Sequence, residues 1–278
     1  MNAASLHVRP IVLLCILAVS LEADEPREQQ RAALLEQMRT IAQGTRVEFI
    51  SEQEPLDLLD KPVFRYDDQP RGFVDATMWT WTHNGRPIAL QKVEATIAID
   101  TGLPRWGFCF TSLAEQTIRT EWKHGLKYQS REPGVTFKPV PGAAAVADRA
   151  TARKRQLRDV ARNFSARILI NPRNNTTQEM RLLTTPLYEY DGADKLPKGA
   201  VFGFSTNGTN PDLVIVTEAR EVEGKLAWHY APARMTTGGL TVKYGDEVVW
   251  EAEFSEPGVS NYPTWTSFSM RREPVESE

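Results

Sequence analysis

The sequence is poor in cysteine, and this restricts how the protein can be stabilised. Only two cysteines occur among its 278 residues. Cys15 lies in an apolar N-terminal run, so Cys109 alone would remain after removal of that run. A chain with a single cysteine forms no internal disulfide. The fold must therefore be held together by its hydrophobic core and not by covalent cross-links.

The signatures of several catalytic and binding classes are also missing. The sequence contains no dinucleotide-binding or phosphate-binding glycine loop, no H-E-x-x-H, no G-x-S-x-G and no cysteine pair with zinc spacing. The histidines beyond the N-terminal run, His83, His124 and His229, do not have the spacing of metal ligands. A net charge of −3 gives no reason to expect a nucleic-acid partner. We therefore expect no metal, no redox cofactor and no nucleic acid.

The N-terminal segment has the pattern of a signal peptide. Arg9 precedes the apolar run Ile11 to Val19, which is too short to span a bilayer. Small residues follow the run, so we predict a signal peptide over 1–23, cleaved after Ser20 or Ala23. An uncleaved anchor is the alternative. No later segment is apolar enough to cross a membrane, so the sequence predicts a periplasmic or extracellular protein.

One long β-hairpin, FVDATMWTWTHNGRPIALQKVEATIAI, occupies 73–99. Asn84-Gly85 supplies the two positive-φ residues that a type I′ turn requires. The segment 201–220 echoes this pattern, with Glu94-Ala95 matched by Glu218-Ala219. Similar landmarks recur along both halves in the same order, about 120 residues apart, which indicates an internal repeat.

The repeat predicts two domains of α+β class. A helix over 27–43 and a second over 150–164 each precede a run of about five strands. An antiparallel sheet with one solvated face needs a cover on the other, and these amphipathic helices are available. The expected architecture is therefore two tandem repeats, each an amphipathic helix packed on a curved antiparallel β-sheet. The first repeat spans 24–145, the second spans 146–265, and a charged C-terminal tail spans 266–278.

Two glutamates on the predicted strands are weak catalytic candidates. Glu94 shares a strand face with Leu90 and Lys92, and Glu218 lies in the matched strand. A carboxylate in apolar surroundings has a raised pKa and can act as a general acid or base. The competing interpretation is structural: Glu94 pairs with Arg39 and Glu218 with Arg158, or both glutamates face water.

Aromatic residues are concentrated in the strands of both halves. Trp79 and Trp81 are the candidate ligand-binding residues, because exposed indole rings stack on sugars or on a partner surface. A core beneath a covering helix would place aromatics at the same positions in both halves. Core packing is therefore the alternative.

Six stretches of the sequence are distinctive: PVFRYDDQPRGFVDATMWTW, TSLAEQ, EPGVTFKPVPGA, RKRQLRDVARNFSA, LLTTPLYEYD and DLVIVTEAR. They resemble a family of exported planctomycete-type proteins of unknown function. The resemblance covers most of the mature chain and implies export. It implies no activity, cofactor or catalytic residue.

These observations favour an exported, non-catalytic binding protein with a carbohydrate or protein partner. One alternative is a hydrolase-like enzyme that uses Glu94 or Glu218 as its acid or base. The other is a structural or assembly subunit. An enzyme would place one of these glutamates at the wall of a pocket, whereas a glycan binder would expose several of the aromatic rings.

Overall fold

The structure is a computed structural model that describes residues 12–98, 101–191, 198–255 and 262–272. The structure is mostly β, with 52% strand and 14% helix. The helices are α1 (Val12–Gln43) and α2 (Ala150–Arg162). A short 3₁₀ turn occupies Gln69–Arg71.

The described residues form eighteen strands, which we number in chain order. The first nine are β1 (Thr45–Phe49), β2 (Asp57–Leu58), β3 (Phe64–Asp68), β4 (Phe73–His83), β5 (Arg86–Ile97), β6 (Pro104–Ser112), β7 (Ile118–Trp122), β8 (Lys127–Gln129) and β9 (Lys138–Pro139). The other nine are β10 (Phe164–Asn171), β11 (Thr176–Leu182), β12 (Tyr188–Asp191), β13 (Lys198–Ser205), β14 (Leu213–Val222), β15 (Lys225–Arg234), β16 (Gly239–Tyr244), β17 (Glu247–Ala252) and β18 (Trp265–Arg271).

The described strands form three antiparallel sheets. The first has three strands in the order β1-β7-β8. The second has six strands in the order β18-β6-β5-β4-β2, with β3 also on β4. The third has nine strands in the order β17-β16-β10-β11-β13-β14-β15-β9, with β12 also on β13. Sequential strands pair in most of these steps, as is usual for hairpin-connected sheets.

The long hairpin predicted around Asn84-Gly85 is confirmed as β4 and β5. His83 pairs with Arg86 across a two-residue turn. Asn84 and Gly85 have φ values of 50° and 80°, as a type I′ turn requires. The matched segment lies in β13 and β14. These strands pair from Lys198 with Ala219 to Phe204 with Leu213, and a longer connection joins them.

Three buried clusters of apolar side chains account for the layering. The first joins α1 to the three-stranded and six-stranded sheets and contains Trp79 and Trp81. The second joins α2 to one face of the nine-stranded sheet. The third lies between the six-stranded and nine-stranded sheets, where Met78 and Leu90 meet Val214 and Val216. Strands β4 and β5 are therefore buried on both faces.

The predicted α+β class is wrong: the protein is mostly β, with large curled antiparallel sheets. The prediction assumed one helix-covered face and one solvated face for each sheet. Instead the second face of each large sheet packs on the other sheet. Short strands and an additional hairpin, β10 with β11, also raise the strand content beyond the expected five per unit.

The two halves exchange strands at their ends. Strand β18 pairs with β6 along its whole length, and β9 pairs with His229 and Tyr230 of β15. The segment expected as a charged tail, 266–278, is therefore a strand as far as Arg271, because alternate residues such as Phe268 pack on the first cluster. Residues 273–278 lie outside the described part of the chain. The boundary at 145/146 stays a prediction.

Helix α1 ends at Gln43 before Gly44, as the sequence predicts, but it begins at Val12 and not at residue 27. Its side chains Leu34, Met38 and Ala42 are buried in the first cluster. Among the residues that the structure describes, no helix combines the length and the apolar character needed to span a membrane. The proposed cleavage after Ser20 or Ala23 falls within this helix and stays a prediction.

Candidate functional site

Glu94 is held in the interior by two uncharged donors. It lies on β5, and its exposed fraction is 7%. The hydroxyl of Tyr66 donates to Oε1 at 2.7 Å, and the amide nitrogen Nδ2 of Asn210 donates to the same oxygen at 3.0 Å. Tyr66 comes from the neighbouring β3, whereas Asn210 comes from the connection between β13 and β14. The carboxyl group therefore joins the two halves of the chain.

Glu218 is held by a tyrosine and a guanidinium. It lies on β14 and is fully buried at 0% exposure. The hydroxyl of Tyr190 donates to Oε2 at 2.6 Å. Arg86, at the start of β5, donates from Nε to Oε2 at 3.0 Å and from Nη2 to Oε1 at 3.2 Å. Arg220 lies 3.6 Å from Oε1. This carboxyl group also takes a partner from the other half.

The tyrosines at these two sites keep their protons. Burial is the first cause that raises the pKa of Tyr66 well above its usual value, and the adjacent charge of Glu94 raises it further. The pKa of Tyr190 is raised well above its usual value by burial and by Glu218. Each phenol therefore acts as a hydrogen-bond donor to a buried carboxyl group.

The predicted partners of these glutamates are wrong. Arg39 pairs instead with Glu36, one turn away on α1. Arg158 pairs instead with Glu189 of β12. Glu94 and Glu218 point into the layer between the sheets. Helices α1 and α2 cover the opposite faces, so their arginines do not reach these carboxyl groups.

Trp79 and Trp81 offer no face to a ligand in this structure. Their exposed fractions are 0% and 1%. The indole N–H of Trp79 donates to Oγ1 of Thr77 at 2.8 Å, and Trp81 packs on Phe110 with ring centroids 6.2 Å apart. Both rings belong to the core under α1, which is the alternative that the sequence left open.

A groove of about 630 Å³ lies where the two halves meet, and we call it the seam groove. Its lining residues fall in 132–138, 232–234, 249–255 and 262–265. These segments are the arm before β9, the end of β15, β17 with the residues after it, and the residues before β18. The sequence did not single them out as a site, since four distant segments share no local pattern.

Arg234 forms part of the wall of the seam groove. It donates from Nη1 to the carbonyl oxygen of Glu253 at 2.9 Å and from Nη2 to that of Gly238 at 2.8 Å. Its guanidinium lies 4.9 Å from the ring centroid of Trp265. Burial lowers the pKa of Arg234. The ring of Trp265 in turn stacks on Tyr262 at 4.2 Å.

The charged side chains of the seam groove have both signs. They are Glu132, Lys138, Arg234 and Glu253. None of them forms an ion pair with any residue that the structure describes. Charges of both signs in a concave site favour a ligand that itself presents donors and acceptors along its length.

A second groove, of about 470 Å³, lies on the outer face of the three-stranded sheet. Its buried carboxyl group, Glu48, is already paired with Arg46 at 2.7 Å and with Arg119. Its charges are neutralised within the groove, unlike those of the seam groove.

Cys109 is buried, and burial raises the pKa of its thiol to about 12, which disfavours the nucleophilic thiolate.

Comparison with known proteins identifies no relative: no family model, no curated protein and no solved structure matches the chain. Within the described part of the chain, no group of three or more His, Cys, Asp or Glu side chains is placed to hold a metal ion.

Proposed function

We propose that this chain is an exported, non-catalytic binding protein whose partner occupies the seam groove. The observation that supports this most is the groove itself. Its volume of about 630 Å³ lies within the usual range of ligand sites, roughly 300–1,000 Å³. Its wall combines Trp250, Tyr262 and several prolines with four charged groups that form no ion pair with the described part of the chain.

The hydrolase-like alternative receives less support. A general acid or base must come within hydrogen-bond reach of a substrate. Glu94 and Glu218 are buried, already accept two or more hydrogen bonds each, and do not line the seam groove. Their arrangement supports a structural role in joining the two halves. An assembly subunit would use the same exposed surface, and self-association of the purified protein in sedimentation would favour that role.

We also infer that the two halves arose by duplication. In each half a tyrosine donates to a glutamate 28 residues further along the chain, Tyr66 to Glu94 and Tyr190 to Glu218. Each glutamate takes a further donor from the other half. Paired halves with equivalent buried contacts would follow from one ancestral unit that dimerised before fusion.

Export is supported by the apolar run 11–19 and by the family resemblance. The test is expression of the full chain in a Gram-negative host, followed by fractionation and mass measurement of the N-terminus. We expect a periplasmic product that begins at Leu21 or Asp24. A full-length product that stays in the membrane fraction would show the uncleaved anchor instead.

Binding is tested with arrays of neutral oligosaccharides, acidic oligosaccharides and linear peptides. We expect one of these classes to bind, and the double variant Lys138→Glu with Glu253→Lys to weaken that binding by about tenfold or more. Lys225→Glu, at an exposed hairpin end outside the groove, is the control for charge reversal elsewhere on the surface. Equal affinity of the double variant and the control would exclude the seam groove as the site.

A further inference from the structure

The seam groove lies between the two end strands of the nine-stranded sheet. Among the described strands, β17 lies at one end of the sheet and β9 at the other. Strand β9 covers only His229 and Tyr230 of β15, so the following residues, Pro232 to Arg234, line the groove instead of pairing with β9. Pro232 suits such an edge, because proline has no N–H to give to a neighbouring strand.

Two cationic side chains reach the β17 side of the seam groove. Lys138 donates from Nζ to the carbonyl oxygen of Val249 at 3.3 Å. Arg234 donates from Nη1 to that of Glu253 at 2.9 Å, just after β17 ends. Side-chain N–H groups thus occupy places where a neighbouring strand would present backbone N–H groups. These carbonyl oxygens are therefore directed toward the groove.

The outer side of β17 also has features that suit a polypeptide. Val248 is 47% exposed, and Trp250 is half-buried beside the groove. The strand is six residues long, so a partner strand of equal length would extend roughly 20 Å. An exposed strand edge with apolar side chains is a template for strand addition.

The charges select the same kind of partner. Glu132 and Glu253 can pair with lysine or arginine of a ligand, while Lys138 and Arg234 can pair with its carboxylates. A polypeptide carries both signs at intervals along an extended backbone, whereas a simple acidic or neutral saccharide does not.

We propose that the partner is an extended polypeptide segment that adds as a strand to the outer edge of β17 within the seam groove. This inference rests on the proposed function and names the class of its ligand. In the bound state the backbone N–H groups of the segment donate to the edge carbonyls, including that of Val249, in place of the Lys138 ammonium. The freed Lys138 pairs with an acidic side chain of the segment.

The experiment begins with a phage-displayed library of random linear peptides about ten residues long, long enough to span β17. The library is selected on the wild-type protein and counter-selected on the double variant Lys138→Glu with Glu253→Lys. All four groove charges are on exposed or partly exposed side chains, so both proteins should melt at similar temperatures. A selected peptide is then synthesised with single backbone N-methyl groups at each position.

Strand addition predicts a period of two in the N-methyl scan. Methylation of the amides that face β17 should weaken binding by about tenfold or more, and methylation of the alternate amides should leave it nearly unchanged. Amide hydrogen exchange of residues 247–252 should slow in the complex.

The alternative outcomes separate the two proposals. A peptide that binds the groove but tolerates methylation at every position would overturn strand addition and leave the binding function in place. The same conclusion would follow if the library yields no binder, while an oligosaccharide binds the wild-type protein and binds the double variant more weakly. Absence of any binder, peptide or saccharide, would reject the proposed function as well.

Discussion

The two buried glutamates differ in the charge of their partners, although each accepts from a tyrosine 28 residues before it. Glu94 is satisfied by the hydroxyl of Tyr66 and the amide of Asn210, which are both uncharged. Glu218 is satisfied by Tyr190 and by the two-point contact with Arg86. A buried carboxylate without a cation is expensive, whereas one with a paired guanidinium becomes costly only when that partner is removed. The Glu218 site should therefore be the more sensitive to mutation.

The largest effect is expected at Arg86. Arg86→Ala would leave Glu218 buried with its remaining cation, Arg220, at 3.6 Å from Oε1. Removal of one member of a buried ion pair costs about 3–5 kcal/mol. We expect a loss of this size in the free energy of unfolding measured by urea denaturation.

The matched control for Arg86 is Arg173→Ala, an exposed arginine in the turn between β10 and β11. Its change should stay within about 0.5 kcal/mol. A loss at Arg86 no larger than that at Arg173 would contradict the view that the guanidinium neutralises Glu218.

The next prediction compares the room around the two glutamate sites and not their charges. A Cβ on Gly199 would lie 2.5 Å from the hydroxyl oxygen of Tyr190 and 2.6 Å from the carbonyl oxygen of Thr217. A Cβ on Gly107 would lie 3.3 Å from Oε2 of Glu94, an ordinary side-chain atom that can shift. Gly199→Ala should therefore cost about 1–3 kcal/mol, and Gly107→Ala less. Thermal denaturation of both variants tests this order, and the reverse order would show that the Glu94 site is the tighter one.

An effect of similar size is expected at Asn210. Asn210→Ala removes one of the two donors to Glu94, which leaves a buried acceptor with the Tyr66 hydroxyl alone. The expected loss is about 1–3 kcal/mol, below that of Arg86→Ala. Urea denaturation of both single variants under the same conditions makes the comparison. A larger loss at Asn210 would contradict the view that the Glu218 site is the more sensitive to mutation.

The sequence predicted the parts of the fold that depend on neighbouring residues. The hairpin turn at Asn84-Gly85, the end of α1 before Gly44 and the shared face of Leu90, Lys92 and Glu94 all follow from local conformation and alternation. These features require no knowledge of the rest of the chain.

The partners of the glutamates were not predictable in this way. Asn210 is 116 residues from Glu94, and Arg86 is 132 residues from Glu218. The sequence pattern indicates helix-borne arginines as the nearest cations only if each sheet is a separate unit. Once the sheets pack face to face, their inner surfaces meet each other and the helices are excluded. The seam groove depends on the same packing, so no local pattern marks its residues.

The smallest expected effect concerns Cys109, which lies opposite Lys92 and near Glu94. Burial raises the pKa of its thiol from 9.0 to about 12. Between these values the unfolded chain releases this proton and the folded chain retains it, so stability falls as pH rises from about 9 to 12. Tyr66 and Tyr190 add to this decline above their usual pKa of about 10. Cys109→Ala should remove only the part of this decline that begins near pH 9. The slope of the unfolding free energy against pH should change there by the equivalent of one proton. Urea denaturation between pH 8 and pH 10 measures it, with the neutral-pH cost of the substitution subtracted, and parallel curves for the two proteins would show that the thiol ionises equally in both states.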